Sequence, residues 1–525
     1  MSRQRTFAAL LALSVALGAA WVGTTATAGA AASSGNGQVD KAGVIKFGAD
    51  LAILGGIRFD PTTVASPNDW YYQQFIYDSL LRQNADGSYS PGLAKSATVT
   101  DPQAIVVELR PNLKFSDDTP LDADAVKFSI ERMIAAGNVG AVRAELSEVA
   151  SITVDSPTKL TIALKTPIAG QFYNLLAHGE TMVVSPTAAK SGTSLDDKPV
   201  GAGPFLLKSY TPERSVVFEK NLKYFQAKKI KLAGVELVQV TSTDPQAGVN
   251  ALLDNIVDAG GVGTLDQVSP LEAGGLTVKV EASDSSFIGV QWCKSQAPLD
   301  NVKVRQALNY AVDRNQINEL IYQGQSEPMW ATWTQANTLF NPKLKDYYKY
   351  NPKKAKALLE EAGASNISFD LYAGPLPETQ RIAEILKEQW AKVGVTANLV
   401  NFTNIVQEFF TDNKAPAGIV PLRRGGLDKV TRVLVLGSIG DKCNYDDPKL
   451  NAMVDTIRKL GGGSKEFQQA WWDLDAYIVK NALHVYLVWS PNITAYNPDR
   501  VGNVTYRPDV FGQPRVDVFK TYIKK

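Results

Sequence analysis

Apolar positions along the chain switch between two periods. Residues 44–52, 105–109 and 160–164 are apolar-rich runs of strand length. Elsewhere the spacing widens to three and four. After Asp122, a natural N-cap, Val126, Ile130, Met133 and Ile134 fall on one helical face. Asn351 and Pro352 open a second helix, whose stripe of Ala355, Leu358, Leu359 and Ala362 ends at Gly363. Residues 378–393 repeat that design, with Ile382, Ile385, Leu386 and Trp390 before Gly394. Ser464 caps a helix with an apolar face of Phe467, Ala470, Trp471, Leu474, Tyr477 and Ile478. The stripe is continuous, which predicts core rather than a ligand surface. Strand and helix patterns alternate throughout, so an α/β fold of packed layers is expected. No repeat is visible, which excludes a solenoid.

Length and charge narrow the picture. A chain of 525 residues is too long for one core and predicts two or three packed units. Lys plus Arg is 54 and Asp plus Glu is 53, so there is no long-range field for nucleic acid or an anionic membrane. Arg3 and Arg5 precede the apolar run 7–22, and small residues follow to Ala28-Gly29-Ala30. This is the pattern of a cleaved signal peptide over residues 1–30. The alternative is a membrane anchor, but 16 apolar residues fall short of the roughly 20 that span a bilayer. Residues 31–43, with Ser33, Ser34, Gly35 and Gly37, read as a flexible leader. With no cysteine near the cleavage point, the expectation is an exported, periplasmic or extracellular protein without a lipid anchor. Export lets Cys293 and Cys443 form a disulfide, which is favoured over two buried thiols.

Much catalytic chemistry is missing. His178 and His484 are the two histidines, and His484 reads as a satisfied core residue. No G-x-S-x-G elbow, H-E-x-x-H helix or phosphate loop is present, and Gly461-Gly462-Gly463-Ser464-Lys465 reads as a turn. No enzymatic activity, cofactor or metal is expected.

Several motifs in order carry a resemblance. They are Ile76-Tyr77-Asp78-Ser79-Leu80-Leu81; Tyr89-Ser90-Pro91-Gly92-Leu93-Ala94; and Leu109-Arg110-Pro111-Asn112-Leu113-Lys114-Phe115-Ser116-Asp117. Next come Asp124-Ala125-Val126-Lys127-Phe128-Ser129-Ile130-Glu131-Arg132 and Lys198-Pro199-Val200-Gly201-Ala202-Gly203-Pro204-Phe205, then Asn221-Leu222-Lys223-Tyr224-Phe225. The last runs from Pro298-Leu299-Asp300 through Val304-Arg305-Gln306-Ala307-Leu308 to Asp313-Arg314. As an ordered set these resemble the family 5 extracytoplasmic solute-binding proteins that serve peptide and nickel ABC importers. By themselves the residues read as scaffold. Asp300 can cap the last helix, Arg305 suits a scaffold ion pair, and the 201–205 glycines permit close approach of a neighbouring chain.

The resemblance implies a two-lobed, periplasmic-binding-protein-like α/β fold (type II, cluster C) with three domains and a hinge. Domain I would combine residues 44–66, 193–287 and 490–525. Domain II would be inserted as 67–192, and domain III, the second lobe, would be 288–489. It implies a monomeric receptor that captures a peptide or small organic ligand between the lobes and delivers it to permease and ATPase subunits. A ligand-sensing or chaperone-like protein of the same fold, binding a non-peptide anionic ligand, is the alternative.

Relatives that take peptides commonly meet the ammonium group with a carboxylate in a W-x-x-D-Y-type segment. The corresponding stretch here, Leu422-Arg423-Arg424-Gly425-Gly426-Leu427-Asp428, lacks the aromatic, and the acid falls near a glycine unless Asp428 substitutes. Arg423 and Arg424 would suit a carboxylate or phosphate, or else form a surface pair. Loop aromatics complete the candidates: Trp70, Tyr71, Tyr72, Trp330, Trp333 and Tyr372.

Overall fold

The structure is a computed structural model. It describes residues 38–51, 57–64, 68–84, 88–136, 144–240, 244–281, 286–374, 377–402, 415–423, 443–460, 464–508 and 514–525, with residues 408, 412, 427, 430, 431 and 434 between them. The expected signal peptide and most of the leader lie outside the described residues.

β1 (Val44–Ala49) buries Ile45 and Phe47 and sits inside a large mixed sheet. α1 (Asn68–Gln73) follows. A separate antiparallel sheet then forms from β2 (Ala94–Asp101), β3 (Ala104–Leu109), β4 (Val149–Ser156) and β5 (Lys159–Leu164), in the order β2-β3-β5-β4. Ile105, Val107 and Leu109 alternate inward from β3, and Leu160, Ile162 and Leu164 do so from β5. Their buried face packs on α2 (Ala123–Ala135) and α3 (Ala169–Leu175). The Asp122 carboxylate accepts the Ala125 N–H at 3.0 Å, as the helix-start pattern requires.

The large sheet resumes with β6 (Phe205–Thr211), β7 (Ser215–Lys220), β8 (Gly234–Gln239), β9 (Ala259–Val262) and β10 (Thr277–Glu281). The entry to β6 explains one glycine. A Cβ on Gly203 would lie 2.5 Å from the Ile76 carbonyl carbon, and its N–H donates to Ile76 O at 2.7 Å. No side chain fits there.

β11 (Ser286–Trp292), buried at every position, begins a second, five-stranded sheet. Around it lie α4 (Val302–Tyr310), α5 (Arg314–Tyr322), α6 (Pro352–Glu361), β12 (Ile367–Ala373), α7 (Pro377–Ala391), β13 (Val395–Asn401) and β14 (Ala417–Arg423). α8 (Pro448–Lys459), α9 (Lys465–Lys480) and β15 (Val485–Trp489) complete it, in the strand order β13-β12-β14-β11-β15. β16 (Asn492–Tyr496) returns to the seven-stranded sheet, whose order is β10-β16-β9-β1-β8-β7-β6. The chain thus crosses between the two large sheets after Glu281 and after Trp489. Ser490 N–H donates to Ser286 O at 3.0 Å, so the chain enters β11 beside the point where it leaves β15. Below, lobe 1 denotes the seven-stranded and four-stranded sheets, and lobe 2 the five-stranded sheet with its helices.

Two scaffold expectations need correction. Asn301, not Asp300, caps α4: it directly precedes the first helical residue, and its side chain accepts the Lys303 N–H at 2.9 Å. Arg305 forms no ion pair among the described residues. Its guanidinium donates to the carbonyls of Leu299, Asp300, Asn481 and Ala482. Four carbonyl dipoles do the work expected of a carboxylate.

Candidate functional site

A short segment before residue 335 is pinned between β15 and α9. Met329 N–H donates to Leu487 O at 3.0 Å, and Trp489 N–H donates to Glu327 O at 3.2 Å, extending the sheet edge. The Thr332 hydroxyl bonds the buried Asp475 carboxylate of α9 and lies 2.9 Å from the Tyr486 hydroxyl. Held this way, the Trp333 ring stands edge-on to Trp471, with centroids 5.1 Å apart. Phe467, one turn earlier on α9, continues the aromatic surface at 6.5 Å from Trp471.

This surface faces lobe 1 across a cavity of about 160 Å³. The lobe 2 wall is largely apolar, built by Trp333, Leu339, Leu427, Ile457, Phe467 and Trp471 together with Thr338. The lobe 1 wall is neutral and mostly hydrogen-bonding: Gln83, Ser88, Tyr89, Gln171, Tyr173 and Asn174. Tyr89 and Tyr173 hold each other edge-to-face at 5.6 Å. α3 comes this close because residue 170 is glycine. A Cβ there would lie 1.7 Å from Leu460 O and 2.9 Å from Arg458 O, at the C-terminal end of α8. No Lys, Arg, Asp, Glu, His or Cys is among the described residues that line the cavity. The described lining suits enclosing a neutral group.

A second cavity, of about 120 Å³, lies within lobe 1 beside Arg82. There the Arg82 guanidinium donates to Asp78 at 2.6 Å and to the Tyr224 hydroxyl at 2.5 Å, and that hydroxyl donates to Asp78 at 2.8 Å. Burial works against the Arg82 charge, but Asp78 and Tyr224 hold its pKa above the ordinary arginine value. The charges here already satisfy one another.

Of the six candidate aromatics, Trp333 lines the interlobe cavity. Trp70 is fully buried, its ring set against Gly179, where a Cβ would come within 2.2 Å. Tyr72 is buried, and its hydroxyl donates to Asp50 O at 3.0 Å. Tyr71 is half-buried, edge-on to Tyr72 and Phe75. Trp330 is half-buried with the Arg314 guanidinium 5.4 Å from its ring centroid. Tyr372 packs on Phe402 at 5.1 Å. The Arg423 backbone pairs with Ser286 at the end of β14, but its side chain, Arg424 and Asp428 lie outside the described residues. Leu427, from the same stretch, reaches the cavity. Cys293 and Cys443 are joined, with Sγ atoms 2.02 Å apart.

Phe467 and Trp471 were legible as helical core and are that, but the stripe overhangs the cavity near the start of α9. Sequence periodicity assigns a face without saying where the core beneath it ends. His484 is buried as expected, yet neither ring nitrogen has a hydrogen-bond partner among the described residues. Burial, aided by Lys294, lowers its pKa to about 3, so the ring is neutral. No cluster of three or more metal-ligating side chains occurs among the described residues.

Comparison with known proteins decides the family. The model for bacterial extracellular solute-binding proteins, family 5 (middle), matches residues 88–419. The chain belongs to that family. Over 363 residues this family 5 protein is 29% identical to a glutathione-binding protein, GsiB of Shigella flexneri, covering 67% of this chain and 69% of the relative. Its fold resembles the unliganded open form of MppA, a periplasmic murein tripeptide binding protein (TM-score 0.80, 17% identity, 93% of this chain and 98% of that one). It also resembles HbpA2 from Haemophilus parasuis (TM-score 0.77, 21% identity, 92% and 100%). The architecture is the two-lobed α/β fold of periplasmic binding proteins. No helix of the described residues is long and apolar enough to cross a membrane.

Proposed function

We propose that this family 5 protein is the exported, monomeric receptor of an ABC importer, and that it holds a short peptide or similar small organic solute between its lobes. The observation that carries this reading is the interlobe cavity, walled by aromatic and aliphatic side chains from one lobe and neutral hydrogen-bonding side chains from the other. Family membership supports delivery to a permease powered by separate ATPase subunits. The binding role of GsiB and the peptide-binding role of MppA make a peptide the first ligand class to try.

In this reading residues 1–30 are removed on export, and Cys293–Cys443 is oxidised there. Residues 44–66, 193–287 and 490–525 form domain I, 67–192 domain II and 288–489 domain III. The paired crossings beside Ser286 and Ser490 support placing the hinge there, where few residues must change backbone angles for the lobes to swing. Arg423 and Arg424 remain candidates for a ligand's carboxylate.

The test is thermal unfolding of the protein from residue 31 onward with glutathione and a tripeptide panel at millimolar concentration. A bound ligand raises Tm by mass action, by about 2.7 kcal/mol of stabilisation at a hundredfold excess over Kd. No shift across the panel, with no small molecule co-purifying from the native host, would sink the reading.

A further inference from the structure

We propose that the cavity between α3 and α9 is a selectivity pocket for one uncharged aromatic or branched aliphatic side chain of a peptide ligand. This rests on the receptor reading above and sharpens it.

Three observations carry the argument. The first is chemistry. The described lining residues hold no charge, so none of them offsets the cost of desolvating an ammonium, carboxylate or phosphate. The second is size. At about 160 Å³ the cavity matches one that takes up a benzene ring, and it is too small for a whole tripeptide. A single side chain can enter while the rest of the ligand stays outside. The third is an unmet hydrogen bond. Trp471 is 1% exposed and lines the cavity, and its Nε1 has no acceptor among the described residues. A ligand acceptor that reached this ring would relieve the cost of leaving the N–H unpaired.

The two walls divide the labour. Trp333, Phe467 and Trp471 offer edges and faces to a ring. Gln171 and Asn174 on α3, with Gln83 and Ser88 on the same wall, offer neutral donors and acceptors to the ligand main chain. Gly170 sets the spacing between the walls, since any side chain there would meet the Leu460 carbonyl.

Isothermal titration calorimetry tests this with tri-alanine and the three tripeptides in which one alanine is replaced by phenylalanine. At least one phenylalanine peptide should bind roughly tenfold to hundredfold more tightly than tri-alanine, the range expected for burying such a side chain. Leu339→Asp, which places a carboxylate in the apolar wall, should abolish that preference while tri-alanine still binds. Equal affinity for all four peptides would overturn the pocket and leave the receptor reading standing. Binding of none would overturn the pocket as a peptide subsite, and the receptor reading would then stand or fall on the glutathione panel and on what co-purifies. The wild-type comparison does not depend on the variant folding.

Discussion

The two lobes bury arginine by opposite means. In lobe 1, Arg132 forks onto Asp60 with bonds of 2.7 and 2.5 Å, and Arg82 is paired with Asp78. In lobe 2, Arg305 and Arg314 have no carboxylate partner among the described residues. Arg314 donates to the carbonyls of Asn309, Tyr348 and Tyr486 and to the Asn309 side chain. The consequence is visible in the titrations. The bond to Asp60 raises the Arg132 pKa, whereas burial lowers that of Arg314 to about 10. An ion pair compensates a buried charge with a second charge that itself titrates. Carbonyl dipoles compensate it less fully but never titrate. Lobe 1 should therefore respond to strong acid through its carboxylates, and lobe 2 through other groups. Lobe 2 also holds the disulfide.

The largest expected difference comes from that bridge. It closes a loop with a sequence separation of 150, for which the chain-entropy model gives about 5 kcal/mol. Reduction, or replacing both cysteines with serine, should accelerate hydrogen exchange in β11 and β14 and leave β3 and β5 protected. Uniform loss across both lobes would show that they unfold as one unit. The next effect is acid sensitivity in lobe 2. His484 has a folded pKa of about 3 against an ordinary 6.5, so its contribution is fully present above pH 6.5. As pH falls from 6.5 to 3 the unfolded chain takes up a proton that the folded lobe refuses. Stability should drop by on the order of 1 kcal/mol per pH unit. Urea melts at stepped pH would show the slope, and His484→Gln should flatten it.

In lobe 1 the acid window lies lower. Burial alone would raise the Asp60 pKa, but the Arg132 fork and the Thr62 N–H outweigh it and hold the carboxyl below its usual 3.8. Its stabilisation is complete above pH 3.8 and is lost as pH falls through the depressed value. Asp60→Asn removes that window and should cost about 2–3 kcal/mol, somewhat less than a fully buried pair because Arg132 is a quarter exposed. A variant as stable as the parent would mean the fork is no stronger than a surface pair.

Much of the fold was legible where a local rule operates. Asp122, Asn351 and Ser464 cap their helices, each accepting the N–H three residues on, because short polar side chains satisfy amides that a helix start leaves free. The ordered motifs located the family because they record the whole chain path. The site was harder to read. Trp70 looked like a loop aromatic, but it lies in a six-residue helix folded against bare backbone at Gly179. Trp471 looked like core and is core, yet it also lines the interlobe cavity. Where a cavity opens beside a core face leaves no trace in a helix's own period. Gly170 carried no signal either, since the carbonyls that exclude a side chain there lie almost 300 positions later at Arg458 and Leu460.

The smallest expected effects are the control for the comparison. Caps act within one turn and do not depend on how a lobe neutralises its arginines. Asp122→Ala in lobe 1, and Asn351→Ala or Ser464→Ala in lobe 2, remove acceptors at 3.0, 2.9 and 3.0 Å. Each should cost about 1 kcal/mol at neutral pH. Equal losses in urea melts would assign the lobes' different acid responses to Asp60 and His484, because the helix starts are equivalent. A cap in one lobe costing several times more than a cap in the other would place the difference in overall lobe stability instead, and the contrast between ion pairs and carbonyl dipoles would lose its explanatory role.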